Sequence, residues 1–484
     1  MKKINLNSVK VVVLTFSLTL FLFSCGDDFL NIPPELSIPE DNVFDTPDRI
    51  LAQVNGLYLS ARHGRLFGGR YYIYNDIRAE EFRNRTSNGV TGYSAYGYTN
   101  DAGDTYVTDF WNHGYLTINR VNKFLADFDQ HPGVVSEALE QNYRGEAKFI
   151  RALAYYALVQ LFAKPYALDQ GESQGIPLRL TPQTNTENNE LASSPVKDIY
   201  VQILKDLDDA ETGLPNTYST ALLRTTRAHK NTAIALKTRI YLAQGNYDKV
   251  LEESDKIVAQ DAPFVSPNGD RAPHALQPDI TTVFASPYTT SENILSFAFS
   301  DTNVPGTQNQ LGYYYGVNGN IEYFLNQSAP GVYADERWGA NDARRTSLTA
   351  VYSAAWHILT KWNSSSPYLD YAPAIRYAEV LLNAAEAEAE AGDPGRAREL
   401  LEAVRHRSDP DYDFGTFDTE EELIEAILFE RRVELLGEGF RSPDLQRRAS
   451  PVFSVGANAT IPPTDDRYVF PIPVTELQTN PLVR

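Results

Sequence analysis

The residues of this chain best suited to binding chemistry are aromatic rings set beside glycines and amides. Tyr93, Tyr96, Tyr98 and Asn100 share one stretch, GYSAYGYTN, with Gly92 and Gly97 among them. Tyr313, Tyr314 and Tyr315 stand between Gly312 and Gly316. A ring can cover the apolar face of a pyranose, while amides, carboxylates and arginine meet its hydroxyls. One stacked sugar face buries roughly 40 Å2, about 1 kcal/mol. Several rings along a curved surface are therefore needed for useful affinity. In an extended run Tyr313 and Tyr315 share one face and Tyr314 takes the other. For both groups the competing role is packing, of the loop onto the scaffold in one case and of a core strand in the other. Arg83, with Asn84 and Arg85, follows Asp76-Ile-Arg-Ala-Glu80. Its guanidinium can fork onto vicinal hydroxyls or pair with Glu80 or Glu81.

Patterns for catalysis are missing. The seven histidines (63, 113, 131, 229, 274, 357 and 406) are scattered and none is paired as HExxH. There is no GxSxG and no Walker loop. With 63 Asp and Glu, a carboxylate pair could be drawn anywhere, so a glycosidase dyad has no specificity. Asn100, Asp101 and Asp104 could offer oxygens to Ca2+, but their spacing is not an EF-hand loop. No enzyme, cofactor or metal is expected. The Glu386–Glu390 run reads as a solvated helix face. Glu430, Arg431, Arg432 and Glu434 read as ion pairs tying helices together. Trp111 lies on an apolar helical stripe and reads as core; Trp338, Trp356 and Trp362 carry no assigned role.

The elements that must position these residues are mainly helical. Residues 374–407 read as two helices joined at Gly392-Asp393-Pro394. Ile375, Ala378, Leu381, Leu382, Ala385 and Ala389 form one stripe, and Ala397, Leu400, Leu401 and Val404 continue it. Gly392 is expected in the left-handed region and Pro394 in the first turn of the next helix. Tyr241-Leu-Ala-Gln-Gly245-Asn-Tyr247 resembles the turn of a tetratricopeptide repeat, and a third, degenerate pair joins 141–163 with 195–212. Such hairpins bury their stripes only by stacking. The expected fold is mainly α: a tetratricopeptide-like helical-pair scaffold with a long irregular insertion carrying short β segments. Residues 47–260 form the N-terminal scaffold and its ligand loops, 261–373 the insertion, and 374–484 the C-terminal scaffold and tail. Residues 70–82 are ambiguous between strand and buried helix, and 83–109 read as a long loop.

The 484 residues carry a formal net charge of −20. That argues against a nucleic-acid partner and against a basic face on anionic lipid. Lys2, Lys3 and Lys10 precede the apolar run 11–23, too short to span a bilayer comfortably. Residues 1–24 read as a leader, whose removal takes the charge to −23. Leu22-Phe23-Ser24-Cys25 resembles a bacterial lipobox, with Cys25, the only cysteine, as the acylation site. The other possibility is a plain secretory leader with an incidental cysteine. Two or three acyl chains hold a protein durably on a membrane, at about 0.8 kcal/mol per buried methylene. Residues 25–46, with Pro33, Pro34 and Pro39, read as an extended tether.

Several stretches together resemble one family, the SusD/RagB-like outer-membrane lipoproteins of Bacteroidetes. They are Cys25-Gly-Asp-Asp-Phe-Leu30, Gly145-Glu-Ala-Lys-Phe-Ile-Arg-Ala-Leu-Ala-Tyr-Tyr156, Ile375-Arg376-Tyr377-Ala378-Glu379, Glu430-Arg431-Arg432-Val-Glu434-Leu435 with Gly437-Glu438-Gly439, and Phe470-Pro471-Ile472-Pro473 with Asn480-Pro481. The resemblance implies four tetratricopeptide-like pairs and a lid on a SusC-like TonB-dependent transporter at the cell surface. It implies an outer-membrane lipid anchor and capture of a nutrient, usually an oligosaccharide, before import. It also implies ligand aromatics in the loop carrying Tyr93 to Asn100, and a structural role for Asp342 and Arg344. The alternative is a surface scaffold of the same build that binds only protein or peptide partners.

Overall fold

The computed structural model describes residues 42–483 apart from 186, 188 and 268. The leader, Cys25 and the tether up to residue 41 lie outside the described residues. Helix α1 (Pro47–Ala61) starts as its sequence requires: the Thr46 side chain accepts from the Arg49 amide, and Pro47 takes the first turn. Next come α2 (Arg70–Ile77), α3 (Thr105–Phe128), α4 (Glu137–Phe162) and α5 (Val196–Gly213). After these stand α6 (Lys230–Ala243) and α7 (Tyr247–Ser254), then α8 (Tyr377–Ala391) and α9 (Pro394–Ser408). The series ends with α10 (Glu420–Glu434) and α11 (Arg441–Arg447).

These helices stack in order. α3 packs on α4, α4 on α5, α5 on α6, α6 on α7, α7 on α8, and α8 on both α9 and α10. All three helix pairs expected from the sequence are present. One contiguous core includes Phe44, Trp111, Leu153, Leu236, Tyr323, Leu381 and Phe470. The fold is mainly α with five small two-stranded sheets among the described residues.

Two local expectations need correction, on Gly392 and on Glu386–Glu390, and the open choice at residues 70–82 falls to the buried helix. Gly392 sits at φ −122°, ψ −129° rather than in the left-handed region; α8 stops because the Asp393 side chain caps α9 and Pro394 opens it. Residues 70–77 are helix, with every side chain buried. The Glu386–Glu390 run is no solvated face. Glu386 is fully buried against Arg447 and Arg448, and Glu388 receives Arg396 at 2.6 Å. α8 is enclosed on several sides by α6, α7, α9 and α10, so its acids survive burial only because each meets a guanidinium.

The insertion is bound to the scaffold by charge as well as by packing. Strand 293–297 pairs antiparallel with 372–376 at the entry to α8. Around it lie five cations, Arg344, Lys361, Arg376, Arg405 and Arg407, and five anions, Glu292, Asp342, Glu430, Glu434 and Glu438. All ten side chains are 5% exposed or less. The structural reading of Asp342 and Arg344 and the tying role of Glu430 and Glu434 both hold. The turn after α10 closes on this cluster. Gly439 has φ +78°, and a methyl there would meet the Tyr72 backbone at 2.8 Å. Gly439→Ala is expected to cost about 1–2 kcal/mol from the left-handed backbone alone, with the clash added, read as a lower urea midpoint.

Candidate functional site

The two tyrosine groups, more than two hundred residues apart in sequence, meet in space. Tyr93 faces Tyr96 at 6.2 Å, Tyr96 meets Tyr323 at 5.8 Å, and Tyr323 stacks on Tyr314 at 6.3 Å. Tyr313 follows at 6.4 Å from Tyr314, then Tyr368 at 6.0 Å. The loop 82–104 is pinned by strand 82–84, which pairs antiparallel with 323–325: Arg83 opposite Phe324, Asn84 opposite Tyr323.

Most of the nominated rings are nevertheless walls of the fold. Residues 311–315 form a short helix, not a strand, so Tyr313 and Tyr315 do not share a face. Tyr315 is fully buried, with its hydroxyl 3.4 Å from Asp76 and its ring stacked on Trp362. It has no face to offer a ligand. Burial pushes its phenol well above the ordinary value. Tyr98 is 5% exposed and lies under the Arg78 guanidinium, 4.6 Å away, in a small core with Ile461 and Tyr468. Tyr96 is 8% exposed. Tyr93, at 42% exposure, is the open ring of its group. Tyr313 and Asn100 are half-buried.

Arg83 is exposed and does not pair with Glu80 or Glu81. Its Nε donates to Asn326 Oδ1 at 2.8 Å. Glu80 and Glu81 are buried and taken by Arg432 and Arg441. Burial holds the Glu81 carboxyl above its usual value against the pull of Arg432. On the strand pair, Arg83 and Phe324 are more open than Phe82, Tyr323 and Leu325. Arg85 follows two residues on, donating to Ile321 O at 2.9 Å and to Asn320 O.

A hairpin completes this face. Strands 349–353 and 356–359 pair antiparallel, and the second packs beside 323–325. Trp356 meets Phe324 at 6.2 Å and lies beneath the Arg85 guanidinium at 5.2 Å. Tyr352 stacks on Trp356 at 5.9 Å with the planes 12° apart, and Tyr352 is 50% exposed. Arg83, Arg85, Phe324, Tyr352 and Trp356 thus gather on one strip, with Tyr93 at the edge of the same loop. Tyr352 and Phe324 are not flagged by sequence reasoning. The available signal is the alternation TAVYS and WHIL around Ala354-Ala355. The strip presents aromatic rings and guanidinium donors. It carries no nucleophile with a paired base, and among the described residues no group of three or more His, Cys, Asp or Glu could hold a metal ion.

Comparison with known proteins bears on the family and the fold. Residues 28–242 match a SusD-like family described as starch-binding and associating with the outer membrane, and residues 306–484 match the SusD family. A SusD superfamily protein of Bacteroides fragilis superposes with TM-score 0.82 at 33% identity, covering 91% of this chain and all of the other. The chain belongs to the SusD/RagB family. The SusD-like protein P2 of Formosa agariphila is 25% identical over 524 residues, 96% of each chain. A laminarin-binding SusD-like protein shares the fold at TM-score 0.73 and 20% identity, over 91% of this chain and 99% of its own. Among the described residues of this SusD-family chain, no helix is long and apolar enough to cross a membrane.

Proposed function

We propose that this chain captures an oligosaccharide at the cell surface and hands it to a TonB-dependent outer-membrane transporter, held in place by acyl chains on Cys25. It acts as a binding protein and not as an enzyme. The observation that carries the reading is the strip formed by Arg83, Arg85, Phe324, Tyr352 and Trp356. Parallel rings, Tyr352 exposed and Trp356 half-buried, suit the apolar faces of successive sugars, and guanidinium donors suit their hydroxyls. Membership of a family described as starch-binding supports it.

Titration calorimetry against an oligosaccharide panel tests it. Trp356→Ala removes the central ring and is expected to weaken the best ligand about tenfold, or about 1.4 kcal/mol. Tyr93→Ala should weaken it less. Unchanged circular dichroism would show that the half-buried ring is not holding up the fold. Full affinity in the Trp356→Ala protein would move the site elsewhere. A second reading, a scaffold for protein or peptide partners, is favoured by a groove beside strand 293–297. Leu59 and Leu222 stand 46% and 49% exposed along it, with Tyr371 and Arg62 among its other lining residues. Binding of no saccharide, with capture of a transporter intact, would support that one.

A further inference from the structure

The site lies in a region of the chain with an unusual charge content. Residues 82–100, 302–321, 323–334 and 343–369 together number 78 and contain no Asp or Glu, whereas the chain as a whole has 63 in 484. At that average these segments would hold about ten. Glu322, the acid between the second and third of these segments, is fully buried, and its carboxylate accepts from the hydroxyls of Thr86 and Thr91 and the amide of Asn320. In a protein of net charge −20, the segments that build the strip contribute no exposed negative charge of their own.

On that strip Arg83 and Arg85 are left without a counter-ion. No carboxylate lies within ion-pair reach of either among the described residues, although most other arginines of the molecule have one. Both are placed rather than loose. The Asn326 side chain that holds Arg83 is itself buried and donates to Glu80 O at 2.9 Å. Arg85 is fixed by Ile321 O and by the face of Trp356. Two residues apart along an extended strand, their backbones are about 7 Å apart, so the two cations repel each other across the same face. Neutral hydroxyls would relieve little of that repulsion. An anion would relieve it, and hydrogen bonds from guanidinium to carboxylate or sulfate are roughly twice as strong as neutral ones. Screening limits exposed charges to about 8 Å at physiological salt, so the acidic body of the protein does not cancel this local preference.

We propose that the site takes a negatively charged saccharide, carboxylated or sulfated, whose anionic group sits on Arg83 and Arg85 while its ring stacks on Trp356 and Tyr352. This rests on the oligosaccharide-binding reading above. The test is calorimetry of the full chain with three probes: a galacturonic acid oligosaccharide, a sulfated galactan oligosaccharide and a neutral laminarin oligosaccharide. Each is measured in 50 mM and 500 mM NaCl. At least one acidic probe is expected to bind tenfold or more tighter than the neutral one, and to lose most of that advantage at high salt. The double variant Arg83→Gln, Arg85→Gln should lose the same factor for that probe and weaken the neutral probe by a much smaller factor, that of neutral hydrogen bonds alone. The acidic probe that binds assigns carboxylate or sulfate as the recognised group. If the neutral probe binds as tightly as both acidic ones, or the double variant keeps the preference, the charge inference is overturned and the oligosaccharide reading stands. If no probe of any class binds while the protein is folded, both are overturned.

Discussion

Arg376→Met is expected to lower stability by about 3–5 kcal/mol, a large part of the roughly 5–15 kcal/mol that holds an ordinary chain folded. Arg376 is the hub of the buried charge cluster. Its Nη1 donates to Glu292 at 2.6 Å and to Glu434 at 2.9 Å, and its Nε donates to Glu438 at 2.7 Å. Its Nη2 also donates to the Glu434 carbonyl and to Glu438. Burial pushes the Glu434 carboxyl up more than any single neighbour pulls it down, but Arg407, Arg376 and Arg344 together hold it well below the usual carboxylate range. Removing Arg376 leaves Glu292, Glu434 and Glu438 short of a partner in a place water does not reach. The cost is that of stranded acids rather than of one lost contact. The residue also joins three parts of the chain: strand 372–376, the insertion through Glu292, and the turn after α10 through Glu438. Urea unfolding should show the loss in the midpoint. Arg337→Met is the comparison. Its pair with Asp335 leaves the arginine side chain 52% exposed, and such pairs contribute about 0–1 kcal/mol. Equal midpoints for the two variants would refute the account of the cluster.

That cluster also shows where sequence reasoning reaches and where it stops. The helix pairs are legible because a stripe such as Leu381, Leu382, Ala385 and Ala389 repeats at helical spacing whatever surrounds it. Helix starts are legible where chemistry is local, as at Thr46-Pro47 and Asp393-Pro394. Whether Glu386 faces water or Arg447 is not local. It depends on a residue 61 positions away, and a carboxylate has the same local signature in either setting. The same holds at the site. Tyr93 and Arg83 are legible because glycine and polar neighbours keep them in a loop that must reach the surface. Tyr315 reads like them and is buried, because the short helix 311–315 turns it onto Asp76 and Trp362. Tyr352 and Trp356 read as ordinary hairpin residues. They become a platform only when strand 323–325 brings Phe324 and Arg85 beside them.

Acidification should unfold this protein through its buried histidines. His274 stacks between His229 at 5.4 Å and Tyr377 at 5.9 Å, and is almost fully buried. Burial pulls its pKa down to about 4, and pulls His229 well below the ordinary value. His113, stacked on His63 at 4.1 Å, is likewise pulled down to about 4 by burial. The folded state therefore keeps these rings neutral at a pH where the unfolded chain, with histidines near 6.5, has protonated them. Between pH 6.5 and 4 the unfolded state binds more protons, so stability falls as pH falls through this window. By pH 4 the loss is roughly 3 kcal/mol each for His274 and His113. Three buried acids act in the opposite sense: burial holds Asp76, Glu81 and Glu146 above the usual carboxylate range. They take up protons more readily folded than unfolded, which favours the folded state in acid. The slope for one histidine is therefore best read as a difference. His274→Phe keeps a ring in the stack, loses the bond from Nδ1 to Ser291 O, and removes one titrating group. It should start less stable at pH 7 and lose less stability than the wild type on going to pH 4.5. Urea midpoints at the two pH values measure both quantities. A parallel decline in wild type and variant would mean that acid acts on the carboxylate network instead, and that the stacked imidazoles are bystanders.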